Sequence, residues 1–355
     1  MGATASTYPL WGQAWSLDVV YSPSGGDQQT LSIAYNDWQP EALRVTFEVL
    51  QSAISAPMWY ADINIYNLDS KTQQNLLIST DTQITLKAGF QSGSNISSII
   101  WKGPVFQTIY TRENVVDQRL TLHCAALPPG SELPVAFSMG PNTSQQWLLA
   151  RMAQANNLPP MTVEQGTVDA TSAQRLAAVT YPRGNTVFAK PAKLTDQLAD
   201  TNFLQSFTDG KQLYMTAPDD GNRVPSLTYS PPFPPEYSYI GNDVPDGTTH
   251  SIIGTPQQIP EGVIFTVLLD PRVRVGVPAQ LVQLVRTNIN ALTVTPGPDS
   301  GLPPLLGPDG SNLTFFVKQV RHTGDSRGND WQTEITGWST GYAQTLLGLL
   351  GGLSG

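Results

Sequence analysis

Two blocks of short runs, over residues 42–124 and 260–338, alternate apolar and polar positions, and this period of two restricts the chain more than any other feature. In the first block, "LRVTFEVLQ", "WYADINIYNL", "TQITLKAGF", "IIWKGPVFQTIY" and "QRLTLHCA" are rich in Val, Ile, Thr and aromatics, and Gly, Asn, Asp and Ser punctuate them. The second block opens with "GVIFTVLLDPRVRVGVPAQLVQLV", is interrupted by "TPGPDSGLPPLLGPDGSN" and closes at Trp338. Side chains on a strand point to opposite faces in turn, so each run offers one apolar face for burial. Several such runs between turn signals predict barrels or sandwiches.

The intervening chain loses that period. "NTSQQWLLARMAQANNLPP" sets Trp147, Leu148, Met152 and Ala155 at helical spacing behind a cap at Asn142 or Thr143, and "KLTDQLADTNFLQSF" predicts a second short helix. Residues 217–259, with "YSPPFPPEYSY" at their centre, read as an extended connector whose tyrosines and Phe233 have something to bury. The expected organisation is mainly β. A first β-domain covers 1–130, a small mixed α+β segment 131–216, the Pro/Gly-rich connector 217–259, a second β-domain 260–340 and an apolar C-terminal tail 341–355.

Composition narrows the function classes. The 355 residues suffice for two or three cores. Charged residues make up only 13%, which suits broad contacts with other protein, since each charge left out is a desolvation penalty avoided. A net charge of -9 with no Lys/Arg cluster argues against specific nucleic-acid binding. Cys124 is the single cysteine, so no intrachain disulfide and no cysteine-based zinc site can form, and His123, His250 and His322 are far apart in sequence. No metal or cofactor is expected. The N-terminal "MGATASTYPLW" lacks the basic segment and apolar run of a secretory signal, and no stretch reaches the ~20 apolar residues of a membrane span, so no stable membrane insertion is expected. "MGATAS" matches the myristoylation pattern only loosely, and the sequons at Asn95, Asn142 and Asn312 carry little weight without an export signal.

The most reactive-looking stretch is 315–338, "FFVKQVRHTGDSRGNDWQTEITGW". His322 with Asp325 would make an acid/base pair only inside a cleft, and no Gly-x-Ser-x-Gly elbow occurs, so no enzymatic activity is expected. The alternation around His322 predicts two strands instead, joined by "TGDSRGND", with glycines for positive φ and Arg327 pairing with Asp325 or Asp330. "VFQTIYTRENVVDQRLTLHC" follows the same plan earlier in the chain, matching Thr111 with Thr323 and Asp117 with Asp330. The echo suggests an internal duplication.

These residues resemble a known family. "INIYNL", "TQITLKAGF", "IIWKGPVFQTIY" and "QRLTLHCA" are similar to the first β-domain of the central baseplate hub proteins of contractile-tailed bacteriophages. "LLDPRVRVGVPAQLVQL" and "VKQVRHTGDSRGNDWQTEITGW", whose Val-x-His-x-Gly-Asp hairpin ends in Trp331, are similar to the second. The resemblance implies two tail-tube-like β-barrel domains in a non-enzymatic homotrimer that joins a six-fold tail tube to a three-fold central spike. It implies contacts with tail tube proteins, the spike and other baseplate proteins, in a virion baseplate assembled in the host cytoplasm. The interaction hairpins are then Thr111 and Asp117, and His322, Thr323, Asp325, Arg327, Asp330 and Trp331. Two other classes stay open. With 8 Trp and 12 Tyr the chain suits a carbohydrate-binding adhesin, provided that Trp59, Trp101 and Trp338 face solvent in a row. A hydrolase requires a deep pocket around His322.

Overall fold

The computed structural model describes residues 12–23, 26–36, 43–53, 59–79, 81–90, 98–126, 133–155, 157–164, 168–208, 213–217, 227–229, 252–259, 262–282 and 312–339. The fold is mainly β, and its dominant feature is a 13-stranded sheet curled into a half-barrel.

The N-terminal region gives β1 (Gln13–Tyr21), β2 (Gln29–Asn36), β3 (Val45–Ser52), β4 (Trp59–Tyr66), α1 (Ser70–Ile78), β5 (Gln83–Phe90), β6 (Ile99–Arg112) and β7 (Gln118–Ala126). Their period of two does what it predicts. On β4, Trp59, Ala61, Ile63 and Ile65 are buried, whereas Tyr60, Asp62, Asn64 and Tyr66 stand on the other face. A fully buried Ile such as Ile63 stabilises the fold by roughly 1.5–3 kcal/mol. The helix α1 was not anticipated in sequence. It is nucleated locally by Asp69, whose carboxylate accepts the amides of Lys71 and Thr72 at 3.1 and 3.0 Å, and it buries Leu76.

The middle region contributes β8 (Val135–Met139), β9 (Thr143–Ser144), α2 (Gln145–Ala155), α3 (Ala170–Ala178), β10 (Thr180–Tyr181), β11 (Asn185–Ala189), α4 (Pro191–Thr201), β12 (Gln205–Thr208) and β13 (Leu213–Thr216). Helices α2 and α4 fall where the sequence places them. They enclose a second core with Leu148, Met152, Leu194 and Leu198, separate from the sheet's core. The β12–β13 hairpin fastens this region to the sheet. Phe207 stacks on Tyr214 with centroids 5.0 Å apart and lies against Gly276, where a Cβ would meet the ring at 2.6 Å and φ is +82°.

The C-terminal region gives β14 (Leu227–Tyr229), β15 (Ile252–Ile259), β16 (Gly262–Leu268), β17 (Pro278–Val282), β18 (Asn312–Asp325) and β19 (Trp331–Ser339). Two pieces of the stretch 217–259 are thus strands. Apart from Tyr229, the segment "YSPPFPPEYSY" lies outside the described residues, as do 341–355.

Strand order exposes an internal repeat. The sheet runs β15-β16-β19-β18-β3-β4-β7-β6 before continuing into β5, β1 and β2. Read in chain order, β15, β16, β18 and β19 occupy the same relative places as β3, β4, β6 and β7. The two hairpins also share an irregularity. A one-residue bulge falls at Phe106 in β6 and at Lys318 in β18, five positions before Thr111 and Thr323 respectively. Buried positions coincide as well: Ala61, Ile63 and Ile65 of β4 match Val263, Phe265 and Val267 of β16.

Candidate functional site

The two four-strand units meet at β18 and β3, which pair antiparallel from Gln319↔Ser52 to Asp325↔Thr46. Three features of the stretch 315–338 make this joint. Trp331 is buried, its ring meets Phe47 of β3 edge-on at 5.4 Å, and its Nε1 donates to the Gly89 carbonyl at 2.9 Å. The turn after β18 lays Ser326 against the start of β3, where its hydroxyl accepts from the Val45 amide at 2.9 Å and its own amide donates to the Val45 carbonyl at 3.0 Å. Asp325 receives Arg44 in a two-point pair, Nε to Oδ1 at 3.1 Å and Nη2 to Oδ2 at 2.7 Å, and also accepts the Arg327 amide at 3.0 Å. Burial pushes the Asp325 carboxyl up, but Arg44 and these amides outweigh it and hold it below the usual carboxylate range.

The glycines act differently from expectation. Gly324 and Gly328 are absent from the left-handed region, which among the described glycines holds Gly12, Gly254 and Gly276. Gly324 is needed for close approach, because a Cβ there would stand 2.3 Å from the Phe47 ring and 2.8 Å from Trp331. At Gly328 a Cβ would meet the Asp325 carboxylate at 2.7 Å.

His322 faces the core and is fully buried. Its Nδ1 lies 2.9 Å from Thr333 Oγ1, which also accepts the Asp270 amide at 3.0 Å. Burial, only partly offset by Asp270 and reinforced by Arg274, lowers its pKa to about 4. The adjoining buried carboxylate of Asp270 accepts from Arg272 Nε and Nη2 at 2.9 and 2.7 Å and from the Tyr229 hydroxyl at 2.9 Å. Burial pushes this carboxyl up, and Arg272 and Tyr229 more than compensate, so it stays ionised. Sequence reading missed this network. Its one visible signal was Asp-Pro-Arg at a strand end, a turn in which the carboxylate reaches its own Arg two residues on. A groove of about 580 Å³ lined by Leu148, Tyr181, Asn185, Leu194 and Asp200 lies in the middle region and does not reach His322.

The face opposite the core is polar. Cross-strand rows run Gln332–Thr323–Glu48–Asp62–His123–Gln107 and Asp325–Thr46–Asn64–Thr121–Ile109 across both units without a break. Polar side chains meet across it: Arg321 Nε stands 2.9 Å from Glu48, and His123 Nδ1 lies 2.6 Å from Asp62 Oδ1. Thr323, expected in an interaction hairpin, belongs to this face. Asp330 is exposed, and its carbonyl accepts the Asp325 amide at 2.7 Å.

The other hairpin, β6–β7, carries Thr111 on the same polar face and Asp117 at its tip. Asp117 accepts from Asn114 and Asn67 side chains at 2.8 and 3.1 Å, which hold its carboxyl below the ordinary range. Arg112 donates to the carbonyls of Asn114 and Val115 at 3.2 and 2.8 Å, and Asn114 Oδ1 accepts the amides of Val116 and Asp117 at 2.7 Å each. This bracing presents two bare side chains, Val115 at 84% and Val116 at 77% exposure. β6 pairs with β5 only from Ile99 to Pro104; from Gln107 to Arg112 its outer edge has no strand partner among the described residues, and neither has the outer edge of β15.

No family model and no curated protein matches the chain. Among solved structures, the tail protein from Neisseria meningitidis MC58 is similar at 11% identity, over 94% of this chain and 99% of that one, with a TM-score of 0.47. The 43 kDa tail protein of prophage MuSo2 from Shewanella oneidensis is similar at 8% identity, over 92% and 98%, with a TM-score of 0.47. The E. coli c3393 protein, a component of the type VI secretion system, is similar at 10% identity, over 85% and 75%, with a TM-score of 0.42. The structural neighbours are phage tail and type VI secretion proteins.

The aromatic row needed for sugar binding is missing at the residues named for it. Trp59 and Trp101 are buried, and Trp338 lies half-buried beneath Lys318, whose Nζ is 3.6 Å from the ring centroid. Among the described residues no helix is long and apolar enough to cross a membrane, and no three His, Cys, Asp or Glu side chains gather to hold a metal.

Proposed function

We propose that the chain is a structural tail protein that acts as a homotrimeric hub, three copies presenting six similar β-units to a six-fold tail tube at one end and a three-fold spike at the other. The observation that carries the proposal is the joint between β18 and β3. Each unit has one strand edge that accepts a neighbouring unit and one that supplies the pairing, and inside a single chain half of these edges are used. Identical edges repeated around an axis close into a ring, and two units per chain let three chains meet six subunits. The polar face, continuous across the joint, suits the lining of a passage. The baseplate location and the tube and spike partners belong to this proposal, as does a non-enzymatic role.

The test is the mass of the purified chain in solution, by light scattering or native mass spectrometry, across a concentration series. Three times the chain mass is the expected value. A monomer at high concentration would sink the proposal.

A further inference from the structure

From the internal joint we infer the surface by which one copy holds the next: the edge of β6 from Gln107 to Arg112 pairs antiparallel with β15 of a second copy, with Ile109 opposite Ile259 and Thr111 opposite Gln257. The inference rests on the homotrimer proposed above and specifies its interface.

The register follows from the repeat. The shared bulge aligns Phe106 with Lys318, and hence Ile109 with Arg321 and Thr111 with Thr323. Pairing carries the alignment across the sheet. Leu50 lies opposite Tyr60 and Ile259 opposite Gly262, and Tyr60 and Gly262 hold matching places on β4 and β16, so Ile259 is the counterpart of Leu50. By the same route Gln257, opposite Ile264, is the counterpart of Glu48, opposite Asp62. In the internal joint Arg321 faces Leu50 and Thr323 faces Glu48. Transferred to the free edges, those pairs become Ile109 with Ile259 and Thr111 with Gln257.

The exposed side chains agree with this occupant. Phe106, Ile109 and Tyr110 lie along the unpaired half of β6, with Phe106 66% exposed, and Val115 and Val116 extend the strip beyond the strand. The corresponding turn of the other hairpin sits on Val45, whose counterpart on β15 is Ile252. The two valines therefore arrive at the start of the next copy's β15, where Ile253 is exposed. The Arg321–Glu48 ion pair of the internal joint has no counterpart here: Ile109 stands for Arg321 and Gln257 for Glu48. The contact between copies is thus apolar and main-chain in character, and salt does not dissolve it.

Paired strand positions bring Cα atoms to ~4.5–5.5 Å, within reach of a disulfide. The native Cys124 does not interfere, since it is buried and burial pushes its thiol up. The double variant Ile109→Cys/Ile259→Cys, oxidised as the intact chain, should give a covalent trimer on denaturing gels that reduction returns to single chains. The out-of-register variant Ile109→Cys/Ile253→Cys should remain uncrosslinked. If solution mass shows a trimer while the in-register pair stays unlinked, or both pairs link equally, the interface is wrong and the trimer stands. If the parent chain is a monomer, both fall.

Discussion

At the residue scale, the most chemically suggestive side chain of the chain, His322, is committed to packing. Its folded pKa of about 4 lies below the ordinary 6.5, so the unfolded chain binds the extra proton first. The stability it protects is complete above pH 6.5 and is lost as pH falls toward 4, by on the order of 3 kcal/mol at ~1.4 kcal/mol per pH unit. Urea unfolding at pH 7 and pH 4.5 should show the loss. His322→Ala should lower stability by about 2 kcal/mol at pH 7, through the cavity it leaves, and flatten that pH dependence. Gly324→Ala places a methyl group into the Phe47 ring and should destabilise by roughly 1–3 kcal/mol, seen as a lower unfolding midpoint.

At the element scale, the bulge of β18 holds Lys318, which is buried with its Nζ 3.6 Å from the centroid of the Trp338 ring. Burial lowers its pKa to about 7, with Asp200 opposing. Because the folded value lies below the unfolded one near 10.4, this lysine penalises the fold increasingly as pH drops from 10 toward 7. Lys318→Met should therefore be more stable than the parent at neutral pH, with the gap narrowing by pH 10 in thermal melts. The strands of both blocks, α2 and α4 were legible because period two and period 3.6 show directly in sequence. The bulges were not, since Phe106 and Lys318 look like ordinary members of an alternating run and only the cross-strand register reveals the extra residue. The duplication was legible at Thr111/Thr323 and Asp117/Asp330. What lay hidden was that the two units share one sheet, because the partner of a strand edge is a long-range choice that local patterning does not encode.

At the scale of the whole molecule, the polar face has Glu48, Asp62, Glu113, Asp325 and Glu334 against Arg44, Arg119 and Arg321, within a chain of net charge -9. Duplex DNA should pass such a surface without adhering, and a filter-binding or mobility-shift assay at moderate salt should detect no retention of DNA. The joint between β18 and β3 has a consequence for assembly kinetics. In the proposed ring every second joint is made by the polypeptide itself, where tethering replaces bulk concentration by an effective one of about millimolar order. Dilution then loosens alternate joints only. Fragments of the particle should hold two, four or six units and never an odd number, a parity that native mass spectrometry can count.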